Sequence, residues 1–202
     1  MKHSISKWTR LAQEPPFRRL MKPLLKWTTK DPFVRALWDI SRKPQYLLGL
    51  AAAARQAMLE GVSSISAIEF GVAGGAGLLV LQEEAEAVSQ KTGVDIRVFG
   101  FDMGTGLPEL IGDYRDHPDI WQPGDYPMNE VALRKRLSSK TRLILGNVED
   151  TVNQTFESPG TPHLGFVSID VDLYSSTRAA LKVFRVTGRK MLLHVPMYFL
   201  PG

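Results

Sequence analysis

The stretch "IEFGVAGGAGLL", residues 68 to 79, constrains this chain more than any other. A short apolar run reaches an acid, Glu69, and four glycines follow at Gly71, Gly74, Gly75 and Gly77. Upstream, "SISAIEF" has the β-branched character of a strand. Downstream, "AGLLVLQEEAEAVSQKTG" puts Leu78, Leu81, Ala85 and Val88 on one helical face, with Gly93 as the stop. A strand, a glycine turn and a helix start at the carboxyl edge of a parallel sheet let backbone N–H groups approach a ligand that any Cβ would hold off. The run reads Glu-x-Gly-x-x-Gly-Gly-x-Gly. It lacks the Gly-x-Gly-x-x-Gly of dinucleotide folds, and without a Gly-Lys-Ser/Thr it is no P-loop. The competing reading is a tight turn packed with no ligand at all.

The rest of the chain continues in the same alternation. "DPFVRALWDISRK" and "PQYLLGLAAAARQAMLEG" read as helices, with Pro32 and Pro44 in their first turns and Gly61 as a stop. "DIRVFGFD" is a second strand, and "MGTGLPELIGDYRDHPDIWQPGDYP" is dense in turn formers and reads as a loop or lid. The helix "NEVALRKRLSS", the strand "TRLILGN", a polar link, the strand "LGFVSID" and the helix "SSTRAALKVFR" follow, and "KMLLHVPMYF" is the last strand candidate. This order predicts an α/β fold, a Rossmann-like, mainly parallel sheet with flanking helices. The expected division is a basic N-terminal arm and helical cap over 1–43 and one ligand-binding domain over 44–202.

Polar groups gather at the strand ends. The second strand closes on Asp102, 25 positions after Gly77, near the spacing of an acid that holds a ribose diol. The third ends at "GNVEDT", where Asn147 or Glu149 would meet an adenine edge. The fourth ends at "SIDVDLYSST", with Asp170 and Asp172 at its mouth. Glu69, Asp102 and Asp170 set negative charge around one position. That favours a cationic ligand over a phosphorylated one and so disfavours NAD.

Taken in order, "EFGVAGGAG", "GFDMGTGLPE", "LILGNVEDT" and "IDVDLYSST" resemble a class I S-adenosylmethionine-dependent methyltransferase. Within that class they are similar to the macrocin O-methyltransferase family, over roughly residues 44 to 199. The resemblance implies that Glu69 and the Gly71–Gly77 turn hold the methionine portion of S-adenosyl-L-methionine and Asp102 its ribose. It places Asn147 and Glu149 by the adenine, and Asp170 beside the sulfonium and the acceptor. The implied acceptor is a hydroxylated small molecule, a sugar or polyketide glycoside. It also implies Mg²⁺ on Asp170 and Asp172, chelating two vicinal hydroxyls of the acceptor and lowering the pKa of one.

The chain departs from that pattern at its end. The family shows an acidic pair after the fifth strand, whereas here no acid follows Asp172. The antiparallel strand pair that usually completes the sheet is also expected to be missing, so a partner copy in a homo-oligomer or the N-terminal helices would have to cover the edge. A catalytically silent cofactor-binding or interaction protein is therefore the alternative to an active O-methyltransferase. His117, in "YRDHPDIW", is a candidate catalytic base reaching from the lid, against the reading of an ordinary exposed loop histidine. His194 reads as a core residue. Ser175 is the expected N-cap of the helix after the fourth strand, Tyr174 a candidate to stack near the acceptor, and "WQPGDYP" a source of aromatic walls for the pocket.

Charge and composition set the remaining bounds. The net charge is +4, and residues 1–30 hold eight Lys or Arg against one acid, Glu14. A patch for anionic lipid, acidic substrate or nucleic acid is weighed against a solvated extension. The extension is preferred, because Pro15, Pro16 and Pro23 are expected to break any long amphipathic helix. Nucleic acid is further disfavoured by the absence of an Asn-Pro-Pro-Tyr-like element for a flipped base. With no cysteine there is no disulfide, thiolate metal site or cysteine nucleophile. "LLGLAAAA" is too short to span a bilayer and no apolar segment follows "MKHSISKWTR", so a cytoplasmic location is expected.

Overall fold

A computed structural model describes residues 17–156, 160–188, 191–192 and 197–199, the last three as backbone only. Residues 1–16, with three of the eight basic residues of the arm, lie outside the described residues, as does His194.

Three helices precede the sheet: α1 (Phe17–Thr28), α2 (Pro32–Leu37) and α3 (Pro44–Glu60). Then come β1 (Ser64–Phe70), α4 (Ala76–Thr92), β2 (Asp95–Asp102), α5 (Glu130–Arg134), β3 (Thr141–Leu145), α6 (Val148–Phe156), β4 (His163–Ile169), α7 (Tyr174–Ala180), α8 (Val183–Thr187) and β5 (Met197–Phe199). The sheet runs β3-β2-β1-β4-β5, and each of its strand pairings is parallel. The chain builds outward from β1 to β3 and then crosses to the other side of β1 for β4. The order therefore reverses between β1 and β4, and this is where an open parallel sheet leaves a crevice at its carboxyl edge.

Burial on both faces explains the near-continuous apolar strands. One face carries α3 and α4 over Tyr46, Leu50, Ile65, Leu78, Val98 and Phe166. The other packs Phe70, Phe101, Val152, Phe156, Ile169 and Val183, with Phe70 and Phe101 stacked at 5.0 Å between ring centroids.

Several local readings are corrected. The helix expected over 31–43 stops at Leu37, and the chain turns through Asp39 at φ +50°. Its start is as expected: Pro32 is at the first position and the Asp31 carboxylate accepts from the Phe33 and Val34 amides. Pro23 does not break α1, which runs through it; proline removes one backbone bond without forcing a helix to end. The segment read as a polar link after β3 contains α6. Val148, Val152 and Phe156 sit at i, i+4 and i+8, and the last two are buried, so an apolar stripe was there to be found among polar neighbours. The helix expected over "SSTRAALKVFR" is two short ones, and α7 starts at Tyr174, so Ser175 is not its N-cap.

Candidate functional site

A cavity of about 530 Å³ opens at the carboxyl edge where β1 and β4 diverge. Its walls are the glycine turn, the ends of β2, β3 and β4, the N-terminal end of α7, and the loop after β2. Glu69, Gly71, Gly74, Gly77, Asp102, Asn147, Glu149, Asp170 and Asp172 all line it, so the fold gathers these sequence candidates into one place. Gly75 and His117 are not among the lining residues. His117 is exposed, at φ +50° on the turn after Tyr114–Asp116, and the structure does not bring it to the cavity.

The four glycines do different jobs. A Cβ at Gly71, where φ is +85°, would lie 1.9 Å from the Asp170 carbonyl oxygen, and one at Gly75, where φ is +84°, would lie 2.4 Å from Leu133. At Gly77 it would lie 2.0 Å from Glu69 Oε1. These three are therefore required by the protein's own packing. Only at Gly74 would a Cβ meet nothing within 4 Å, so Gly74 is the position where bare backbone faces open cavity.

Glu69 sits one residue from the end of a central strand and is 1% exposed. Its Oε1 accepts a hydrogen bond from the Tyr46 hydroxyl at 2.5 Å. That hydroxyl in turn accepts from Ser168 Oγ at 3.2 Å and from Lys43 Nζ at 3.2 Å. Glu69 Oε2 is buried with no partner. Burial pushes the Glu69 carboxyl up to about 7, against the opposing pull of the Tyr46 hydroxyl and Lys43. Burial, then the neighbouring Glu69 charge, also holds the Tyr46 phenol well above its ordinary value, so it stays protonated and donating.

Lys43, just before α3, escaped the sequence reading because it lies 26 residues before Glu69. Its ammonium is 3.4 Å from Asp170 Oδ2 and 3.9 Å from Glu69 Oε1, and 4.8 Å from the Tyr46 ring centroid. It is the cation that answers the two acids on either side of the switch point.

Asp102 is already engaged. Its Oδ2 accepts from the Val72 and Ala73 amides, both at 2.8 Å, and its Oδ1 from the Gly104 amide at 2.6 Å. A carboxylate offers about four acceptor positions, so three are used in stapling the glycine turn and one, on Oδ1, remains. At the β3 end, Asn147 Oδ1 accepts from the Glu149 amide at 2.9 Å, which caps α6. Glu149 forms an ion pair with Lys182.

The loop after β2 forms one wall, through Leu107, Pro108, Asp125 and Tyr126 among others. Tyr126 lines the cavity and Trp121 packs behind it at 6.3 Å between ring centroids. Sequence reasoning missed Asp116, which pins this loop. It is fully buried, its Oδ1 accepts from the Ser175 amide at 2.7 Å, and its Oδ2 has no partner. The cap that Ser175 was expected to provide is thus supplied from a segment 59 positions away. Tyr174 lies under the Arg115 guanidinium at 3.9 Å and does not line the cavity.

The surroundings of Asp170 and Asp172 lend no support to the Mg²⁺ that the family resemblance implies. Asp172 is raised by burial, then by Asp170 and Asp125. Among the described residues, no group of three or more His, Cys, Asp or Glu side chains converges to hold an ion. Mg²⁺ needs near-octahedral oxygen ligation, and a pair of carboxylates with Lys43 at 3.4 Å from one member does not fit it.

No protein-family model and no curated protein matches the chain. Solved structures do. The crystal structure of CalS11, a calicheamicin methyltransferase, matches with a TM-score of 0.55 at 23% identity, covering 97% of this chain and 79% of that one. The apo structure of CalS11, described as a TDP-rhamnose 3′-O-methyltransferase, matches with a TM-score of 0.48 at 21% identity over the same shares. At such identity the likeness speaks for the backbone alone: the chain has a Rossmann-like methyltransferase fold.

Proposed function

We propose that this protein is an S-adenosylmethionine-dependent methyltransferase that transfers a methyl group to a hydroxyl of a small molecule, as its similarity to the macrocin O-methyltransferase family implies. The observation that carries the reading is the charge of the cavity. Seven carboxylates line it against three basic side chains, and one of the seven, Glu69, keeps a buried oxygen without a partner. A site so acidic suits a ligand bearing a sulfonium and an ammonium, and repels a dinucleotide or nucleoside triphosphate.

In this reading the ligand's ammonium meets the unpartnered Glu69 oxygen, and its carboxylate is answered by Lys43. The chain passes over Gly74, and one ribose hydroxyl donates to the free position on Asp102 Oδ1. The adenine lies towards Asn147 and Glu149. S-Adenosyl-L-methionine supplies an electrophilic methyl carbon when bound, and the protein must hold an acceptor oxygen in line with it. As the new C–O bond formed, the methyl–sulfur bond would break with its electron pair left on sulfur, and the acceptor oxygen would give up its proton. Asp170 and Asp172 are the groups placed to receive it, Asp172 the better base because its affinity for a proton is raised. No step is routed through Mg²⁺. A sugar or polyketide glycoside is the acceptor class the family resemblance implies, and Tyr126 offers it an aromatic wall.

Calorimetry with S-adenosylhomocysteine tests the reading directly. Saturable binding by the folded protein is expected, and no heat at millimolar ligand would sink it. The second reading, a silent cofactor-binding protein, is favoured by the lack, among the described residues, of a third metal-binding side chain beside Asp170 and Asp172. Turnover of any member of a hydroxylated metabolite panel would remove it.

A further inference from the structure

We infer that α1 is an interfacial helix that docks this protein on an anionic lipid surface. Phe17, Leu20, Met21, Leu24 and Trp27 fall within an arc of about 120° at the helical repeat, while Arg18, Arg19, Lys22 and Lys26 occupy an arc of about 100° on the opposite side. The apolar stripe faces outward: Leu20 is 72% exposed, Leu24 55% and Trp27 88%. No residue of α1 is buried. Arg18 ties it to the body, forming an ion pair with Asp39 and lying 5.9 Å over the Trp38 ring.

A helix of 12 residues with Pro23 inside it does not hold together in water by itself. Its helicity needs a surface under the stripe, and the charge pattern decides which. Residues 17–30 carry five basic side chains and no acid. A second copy laid against the stripe would bring the same positive charges with no carboxylate to answer them. A leaflet rich in anionic headgroups answers all five, and accepts Phe, Leu and Trp at the level of the acyl boundary while the basic side chains reach up to phosphate. No described helix is long and apolar enough to cross a membrane, and the proposed contact lies in the interface plane. The inference is independent of the reaction assigned to the cavity.

The test uses the full chain and sedimentation with two vesicle types, phosphatidylcholine alone and phosphatidylcholine with about 30% phosphatidylserine. Binding at least about tenfold stronger to the anionic vesicles is expected, weakening as salt is raised. The double substitution Leu20→Glu with Leu24→Glu should lower it by at least about fivefold. The pair Arg19→Glu with Lys22→Glu should abolish the preference for anionic lipid. None of these four residues is buried, so thermal melts should match the parent. Absence of binding to anionic vesicles overturns the inference, as does equal binding by the Leu20→Glu/Leu24→Glu protein. So does a dimer in gel filtration that this pair dissociates while lipid binding is nil, since the stripe is then covered by a second copy.

Discussion

Replacing Glu69 with glutamine isolates the cost of burying a carboxylate at the end of the central strand. The wild-type group is 1% exposed, and burial raises it from 4.5 to about 7. A carboxyl whose folded pKa lies above its unfolded value holds its proton more tightly when folded. The resulting stabilisation is complete below about pH 4.5 and is lost as pH rises through about 7. At a little over 1 kcal/mol per pK unit, the loss between about pH 5 and about pH 8 comes to about 2–3 kcal/mol. Glutamine cannot titrate, yet its carbonyl can still accept from the Tyr46 hydroxyl. Urea denaturation of both proteins at the two pH values gives the stability change of each, and the difference between those changes cancels every other titrating group. The wild type should lose about 2–3 kcal/mol more than Glu69→Gln across the window. Profiles that run parallel to within about 0.5 kcal/mol would show that Glu69 is ionised throughout, and the placement of a strained acid in the cavity would be wrong.

Four further outcomes follow from the same geometry. At about pH 7 a ligand ammonium arriving beside a half-protonated Glu69 should expel roughly half a proton, read by calorimetry of S-adenosylhomocysteine in buffers of different ionisation enthalpy; identical heats would count against contact with Glu69. Gly74→Ala should leave the melting temperature unchanged and weaken S-adenosylhomocysteine, whereas Gly77→Ala, whose Cβ would lie 2.0 Å from Glu69 Oε1, should cost about 1–3 kcal/mol of stability in urea. Asp116→Ala should cost about 1 kcal/mol and speed hydrogen exchange across residues 104–126, because the loop loses its attachment to α7. Any methyl transfer found in the metabolite screen should survive EDTA, and its loss on chelation with rescue by Mg²⁺ would refute the metal-free assignment of Asp170 and Asp172.

Periodicity and turn chemistry are local, so the residues themselves determined the alternation of strands and helices, the parallel class of the sheet, and the clustering of acids at its carboxyl edge. Glu69, Asp102, Asn147, Glu149, Asp170 and Asp172 could be named as neighbours because each ends or follows a strand, and parallel strands deliver their ends to one edge. What each of them touches was decided only when distant segments met. Lys43 reaches Glu69 and Asp170 because α3 packs across the sheet, and no spacing rule links position 43 to 170. Asp102 spends three of its acceptor positions on loop amides whose direction is set by the turn's own fold. Gly77 is bare to admit a carboxylate from the preceding strand, and Asp116 caps a helix that begins far along the chain. His117, expected to reach from the lid, is exposed and does not line the cavity. Chemistry-bearing residue types are written in the sequence, whereas burial, and with it the protonation of Glu69 and the partners of each charge, is a property of three-dimensional packing.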